Sequence, residues 1–184
     1  AACVVGASSA DGEYIAVGAQ DYRVYLFHKD NSTPLWSNTT GERVGSVAIS
    51  ANGDYSVAKS SDHKVYFFDK DSSTPLWSYT IGGWGFSVAI SADGEYIVAG
   101  GHDRKVYFFD KDSGTPLWNH TTDGSVESIS ISADGEYIAA GFALWYGSGA
   151  VYLFDKDSST PLWSYETGGG CWISQGETEC WNGV

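Results

Sequence analysis

"SVAISADGEYIVAGGHDRKVYFFDKDSGTPLW", residues Ser87 to Trp118, sets four short apolar runs in one line. "SVAIS" precedes an Asp-Gly turn signal, "EYIVAG" follows it, and "KVYFFD" and "PLW" flank "KDSGT". Short runs of β-branched and aromatic residues, with Gly, Asp or Pro in every gap, specify strands joined by tight hairpins. No window carries the 3.6-residue apolar stripe of an amphipathic helix. The stretch therefore predicts one four-stranded antiparallel sheet.

The chain writes this unit four times. "SADG" begins at Ser9, "SANG" at Ser50 and "SADG" again at Ser91 and Ser132, a constant step of 41 residues. "PLW" keeps the same step at Pro34, Pro75 and Pro116, then slips by four to Pro161. Between the units at Ser50 and Ser91, 24 of 41 positions are identical, so the copies share one geometry. A period near 41 suits propeller blades and some helical solenoids, and the strand pattern selects the blade.

On these residues the repeat resembles the WD-repeat and pyrroloquinoline-quinone-type (PQQ-like) propeller families, over about Val4 to Thr167. The resemblance implies an all-β propeller, four blades of four antiparallel strands at residues 1–167, followed by a non-repeating Cys- and Trp-containing tail at 168–184. Asp21, Asp62 and Asp103 match the Asp of the WD-type hydrogen-bonded tetrad. Phe and Leu stand at its Trp position, however, and no Gly-His precedes the inner strand, so the tetrad is absent. Trp36, Trp77, Trp118 and Trp163 are similar to the outer-strand Trp by which a quinone-type blade docks on its neighbour. On that reading the Leu-Trp pair of each "PLW" is buried between blades, each Trp covering on the order of 150 Å² or more.

Composition narrows the function. The 184 residues are 42% hydrophobic and 15% aromatic, ample for a packed core. No apolar run approaches the ~20 residues of a helical membrane span. Ten Lys and Arg against 23 Asp and Glu give a net charge of -13, which repels nucleic acid and anionic lipid. There is no Met, even at position 1, and the Ala-Ala start fits the residue of a cleaved leader. Sequons at Asn31, Asn38 and Asn119 are potential glycosylation acceptors, and together these features predict a secreted, extracellular or cell-surface protein.

Candidate chemistry is sparse. Asp69-Lys70-Asp71, Asp110-Lys111-Asp112 and Asp155-Lys156-Asp157 have the opening spacing of a calcium loop but lack its Gly and Glu, and read better as solvated turns. The four His fall at four different repeat positions and suggest no zinc set. Glu13, Asp54, Glu95 and Glu136 recur identically, whereas a catalytic pair needs two unlike environments. No "GxSxG" elbow occurs. A quinone cofactor is what the resemblance to quinone enzymes implies, but four repeats without a calcium-carboxylate cluster fall short of it. No metal, no cofactor and no catalysis are expected.

A single site must break the repeat. "GFALWYGSGAVY" adds four residues to the fourth unit, with Phe142, Leu144, Trp145 and Tyr146 before its third strand. Together with the variable loops between units, this predicts an aromatic rim of Trp84, Phe86, Trp145, Tyr146 and Trp172 that takes protein or glycan. The competing expectation is that the insertion folds inward. In the tail, Cys171 and Cys180 are expected to form a disulfide, leaving Cys3 over. Four blades are few, so either they close as a small ring clasped by the tail, or a second copy completes a homo-oligomeric ring or a fibre-like assembly. The expected function is a non-enzymatic structural or interaction module that self-associates. A lectin-like sugar or small-molecule binder is the alternative, and a quinone-enzyme fragment the third reading.

Overall fold

The computed structural model of the chain describes residues 4–83, 85–144, 148–168, 171–174 and 177–180. It is all strand, in four antiparallel sheets of four. The first holds β1 (Val4–Ser8), β2 (Tyr14–Ala19), β3 (Arg23–His28) and β4 (Trp36–Thr39). The second holds β5 (Val44–Ile49), β6 (Tyr55–Ser60), β7 (Lys64–Asp69) and β8 (Trp77–Thr80). The third holds β9 (Gly85–Ile90), β10 (Tyr96–Gly101), β11 (Lys105–Asp110) and β12 (Trp118–Thr121), and the fourth β13 (Ser125–Ile131), β14 (Tyr137–Ala143), β15 (Gly149–Asp155) and β16 (Trp163–Thr167). The tail forms its own hairpin, β17 (Cys171–Ser174) with β18 (Glu177–Cys180), which among the described residues pairs with none of the four sheets.

Each Asn/Asp-Gly turn is held by the same polar device. Ser50 Oγ accepts the Tyr55 N–H at 3.0 Å and donates to Asn52 at 2.7 Å, and Ser9, Ser91 and Ser132 repeat the pattern. The turn Gly adopts a left-handed φ of 72° to 80° at Gly12, Gly53, Gly94 and Gly135. Only Gly takes that conformation without steric cost.

The core lies between the sheets. Alternation sends Val65 and Phe67 toward the third blade and Tyr66 and Phe68 toward the first, and all four are buried. Inner strands pack in series, β1 on β5, β5 on β9 and β9 on β13, but no comparable packing joins β13 back to β1 among the described residues. The four blades make an open arc, which excludes the small closed ring as the arrangement of this chain.

Candidate functional site

The three internal junctions share one set of contacts. Trp36, Trp77 and Trp118 each lean onto a Phe of the next blade, with ring centroids 5.2 Å, 5.2 Å and 5.4 Å apart. Their indole N–H groups donate to the Lys70, Lys111 and Lys156 carbonyls of that blade at 2.7, 2.9 and 2.7 Å. A buried indole N–H without an acceptor is costly, so this bond fixes where the ring seats. One residue-step of 41 also links the turns, since the N–H groups of Ala10, Ala51 and Ala92 donate to the carbonyls of Ala51, Ala92 and Ala133. Tyr14, Tyr55 and Tyr96 then lie where a Cβ on Gly53, Gly94 or Gly135 would overlap their rings. Gly is required there twice over, by backbone and by neighbour.

The Trp half of the "PLW" expectation holds at Trp36, Trp77 and Trp118, which are half-buried between blades, and fails at Trp163, which is exposed, while the Leu half needs correcting at all four positions. Leu35, Leu76, Leu117 and Leu162 are all more than half exposed, because the strand turns its Leu outward when it turns its Trp in. Glu13, Asp54, Glu95 and Glu136 each pair with the Lys of the same blade, Lys29, Lys70, Lys111 or Lys156. Asp69, Asp110 and Asp155 accept the N–H two residues on, which is the solvated-turn reading. His120 occupies the place of Tyr79 and meets Phe154 edge-on at 5.2 Å, an inter-blade contact rather than a metal ligand.

The carboxylates matched to the WD-type tetrad serve another partner. Asp62 and Asp103 accept the hydroxyls of Tyr66 and Tyr107 at 2.5 and 2.6 Å, and burial followed by this bond raises both phenol pKa values. The fourth blade has lost that Asp in its insertion, and Tyr152 donates instead to Asp123 at 2.9 Å. Asp123 stands at the repeat position of Gly41 and Gly82, where a Cβ would crowd Asp62 or Asp103. The carboxylate has moved to the opposite loop, and removal of one Asp opens the space for the other.

Of the predicted rim, Trp84, Trp145 and Tyr146 lie outside the described residues. Phe86 and Trp172 are placed on β9 and β17 by their backbone. The insertion itself is partly core: Phe142 is buried and meets Tyr152 edge-on at 4.7 Å, Leu144 packs beside it, and β14 and β15 lengthen to pair Ala143 with Gly149. Cys171 and Cys180 are directly opposite partners in the tail hairpin, and Cys3 lies outside the described residues. Asn31 and Asn119 are exposed, whereas half-buried Asn38 donates its amide to the Ser73 carbonyl at 2.8 Å.

One buried cation breaks the repeat. Lys59 stands where the other blades have Gly18, Gly100 and Gly141, and its ammonium donates to the Ser60 carbonyl at 2.7 Å. Burial pushes its pKa down to about 8, with Asp62 and Asp103 opposing the shift. Val44 and Val126 crowd Gly18 and Gly100, and the same repeat position opposite Lys59 is Gly85. The pair has exchanged its large and small members.

The ends of the arc are the uncovered surfaces. On the fourth blade Trp163 is 49% exposed and Tyr165 67%, and Tyr137 lacks the Gly turn that covers its siblings. On the first blade Tyr25 and Phe27 are half-exposed where Tyr66 and Phe68 are buried, and a Cβ on Gly12 would meet nothing within 4 Å.

Comparison with known proteins agrees with this architecture. The family model described as outer membrane protein assembly factor BamB, built of PQQ-like repeats, matches residues 20–172. Among curated proteins none matches the chain. Among solved structures, Kuenenia stuttgartiensis hydrazine synthase is similar with a TM-score of 0.77 at 15% identity, covering 91% of this chain and 50% of that one. This chain thus spans half the length of that structure, and the likeness is one of fold. The WD-repeat half of the resemblance finds no counterpart in the matched family, in keeping with the Asp-Tyr bonds that replace the tetrad.

Proposed function

This chain belongs to the BamB-described family of PQQ-like propeller repeats, and from that premise we propose that it is a non-enzymatic structural and interaction module, extracellular or at the cell surface, whose partner is protein. The observation that carries the reading is the pair of uncovered blade faces at the ends of the arc. Apolar faces rimmed by polar groups are protein-contact surfaces in the usual case. The repeated polar side chains support it too, since Asp62, Asp103, Ser50 and the Lys-carboxylate pairs are engaged in holding turns and strands. The matched family is named for an assembly factor, which favours a protein partner over a substrate.

The test is threefold on one purified preparation. Photo-cross-linking from position 163 is expected to give adducts with protein, an absorbance scan to give no quinone band, and a glycan array to give no selective binding. Selective sugar binding with no protein adduct replaces this reading with the lectin-like one. A stoichiometric quinone band replaces it with the enzyme fragment.

A further inference from the structure

We propose that the junction between the first and second blades holds an internal binding site for a small neutral alcohol with an apolar body of phenol size, its hydroxyl bonded to Ser56. Ser56 is only 3% exposed, and its Oγ is the one buried side-chain polar atom without a hydrogen-bond partner among the described residues. A buried hydroxyl left unpaired costs free energy, so its retention calls for an account. The other blades hold Ile15, Ile97 and Ile138 at this repeat position. Register sets Ser56 between Ile49 and Phe68, on the face turned to the first blade.

The wall of the first blade is reduced as well. Ala16, Leu26 and Trp36 form one row across it, where the second blade has Val57, Phe67 and Trp77. Val57, Phe67 and Ile97 pack into the core of the second junction, and Val98, Phe108 and Ile138 into that of the third. Ala16 and Leu26 are just as fully buried, yet stand outside the packed cluster of the first. The residues around Ser56 are not enlarged in return, since Val47, Ile49, Ala58 and Phe68 match Val88, Ile90, Ala99 and Phe109. Nor do the blades close in. Trp36 meets Phe68 at 5.2 Å as Trp77 meets Phe109, and indole bonds of 2.7 and 2.9 Å with turn bonds of 2.9 and 2.8 Å hold both junctions at one spacing. Equal spacing with smaller side chains leaves room for about seven non-hydrogen atoms, the size of phenol. Apolar cavities of that size take small ring compounds, and Ser56 supplies one polar point within an apolar wall. At the rim, half-buried Asn38 stands where Tyr79 covers Phe109 edge-on at 5.4 Å, which marks the way in.

Methyl NMR of the full chain titrated with phenol reads the site. Saturable shifts centred on Ala16 and Leu26 are expected, with a Kd of about 0.1 to 1 mM. Ser56→Ile installs the residue of the other blades and is expected to weaken phenol about 30-fold or more, while raising the melting temperature by about 2 to 4 °C. Ser56→Ala keeps the space and removes the hydroxyl, so phenol should weaken about 5-fold and toluene should not. Should Ser56→Ile fail to fold by circular dichroism, Leu26→Phe takes its place. Phenol that does not saturate below about 10 mM overturns the proposal, as do shifts centred on exposed Trp163 instead, a Ser56→Ile variant that binds as before, or a toluene loss on Ser56→Ala equal to that of phenol.

Discussion

Trp77 and Trp163 sit in the same sequence word at the same place in their blades, yet one lies between two Phe rings and the other is 49% exposed. The sheets around them pair alike, through Phe67–Trp77 and Leu153–Trp163. What differs is the neighbour. A blade of this kind supplies half of each junction, and whether its aromatic face is core or contact surface depends on whether another blade is stacked against it.

The comparison breaks most sharply under truncation. Trp77→Ala is expected to cost about 2 to 4 kcal/mol, as a half-buried ring packed between two Phe rings whose loss also leaves the Lys111 carbonyl without its donor. Trp163→Ala, at concentrations where the chain is single, is expected to cost no more than about 0.5 kcal/mol. Urea denaturation measures both, and equal costs would erase the distinction between the two faces.

The junction containing Lys59 should differ from its siblings in pH response. Its folded pKa of about 8 lies below the ordinary Lys value of 10.5, so the native state sheds the proton first. The contribution of Lys59 to stability is therefore least favourable at and below neutral pH and improves as pH climbs from about 8 toward 10.5. Lys59→Met is expected to gain about 2 to 3 kcal/mol at pH 7 and to lose that slope. Denaturant midpoints at pH 7 and pH 10 check it, and a variant weaker than the parent at pH 7 would mean that the ammonium is held by more than the Ser60 carbonyl.

A smaller effect separates the two Asp-Tyr arrangements. Tyr107→Phe is expected to cost about 1 kcal/mol, because Asp103 loses a donor beside a buried ring. Tyr152→Phe, whose bond to Asp123 is exposed, should cost less than half of that by the same denaturation assay.

The smallest effect belongs to the tail. Directly opposed residues of an antiparallel pair have Cα atoms about 4.5 to 5.5 Å apart, within disulfide reach, so Cys171 and Cys180 are expected to be bonded under oxidising conditions. Peptide mapping without reduction tests this. Because that hairpin pairs with no blade among the described residues, reduction should move the melting temperature of the propeller by no more than about 1 °C.

The four blades, their strands and their turns were legible in the sequence, because strand alternation, Asp-Gly turns and a 41-residue step are local signals repeated until they are unambiguous, whereas the docking role of Trp came with the resemblance to quinone-type blades. Compensations across the chain were not. Asp123 for a lost Asp, Gly85 opposite Lys59, His120 in the place of Tyr79 and Phe142 folded into the core each depend on which two loops or faces meet, and a single line of sequence does not carry that adjacency. The openness of the arc belongs to the tertiary structure for the same reason. Repetition prescribes the angle between neighbours without prescribing how many neighbours complete a turn, and only the packed arrangement reveals that β13 stops short of β1.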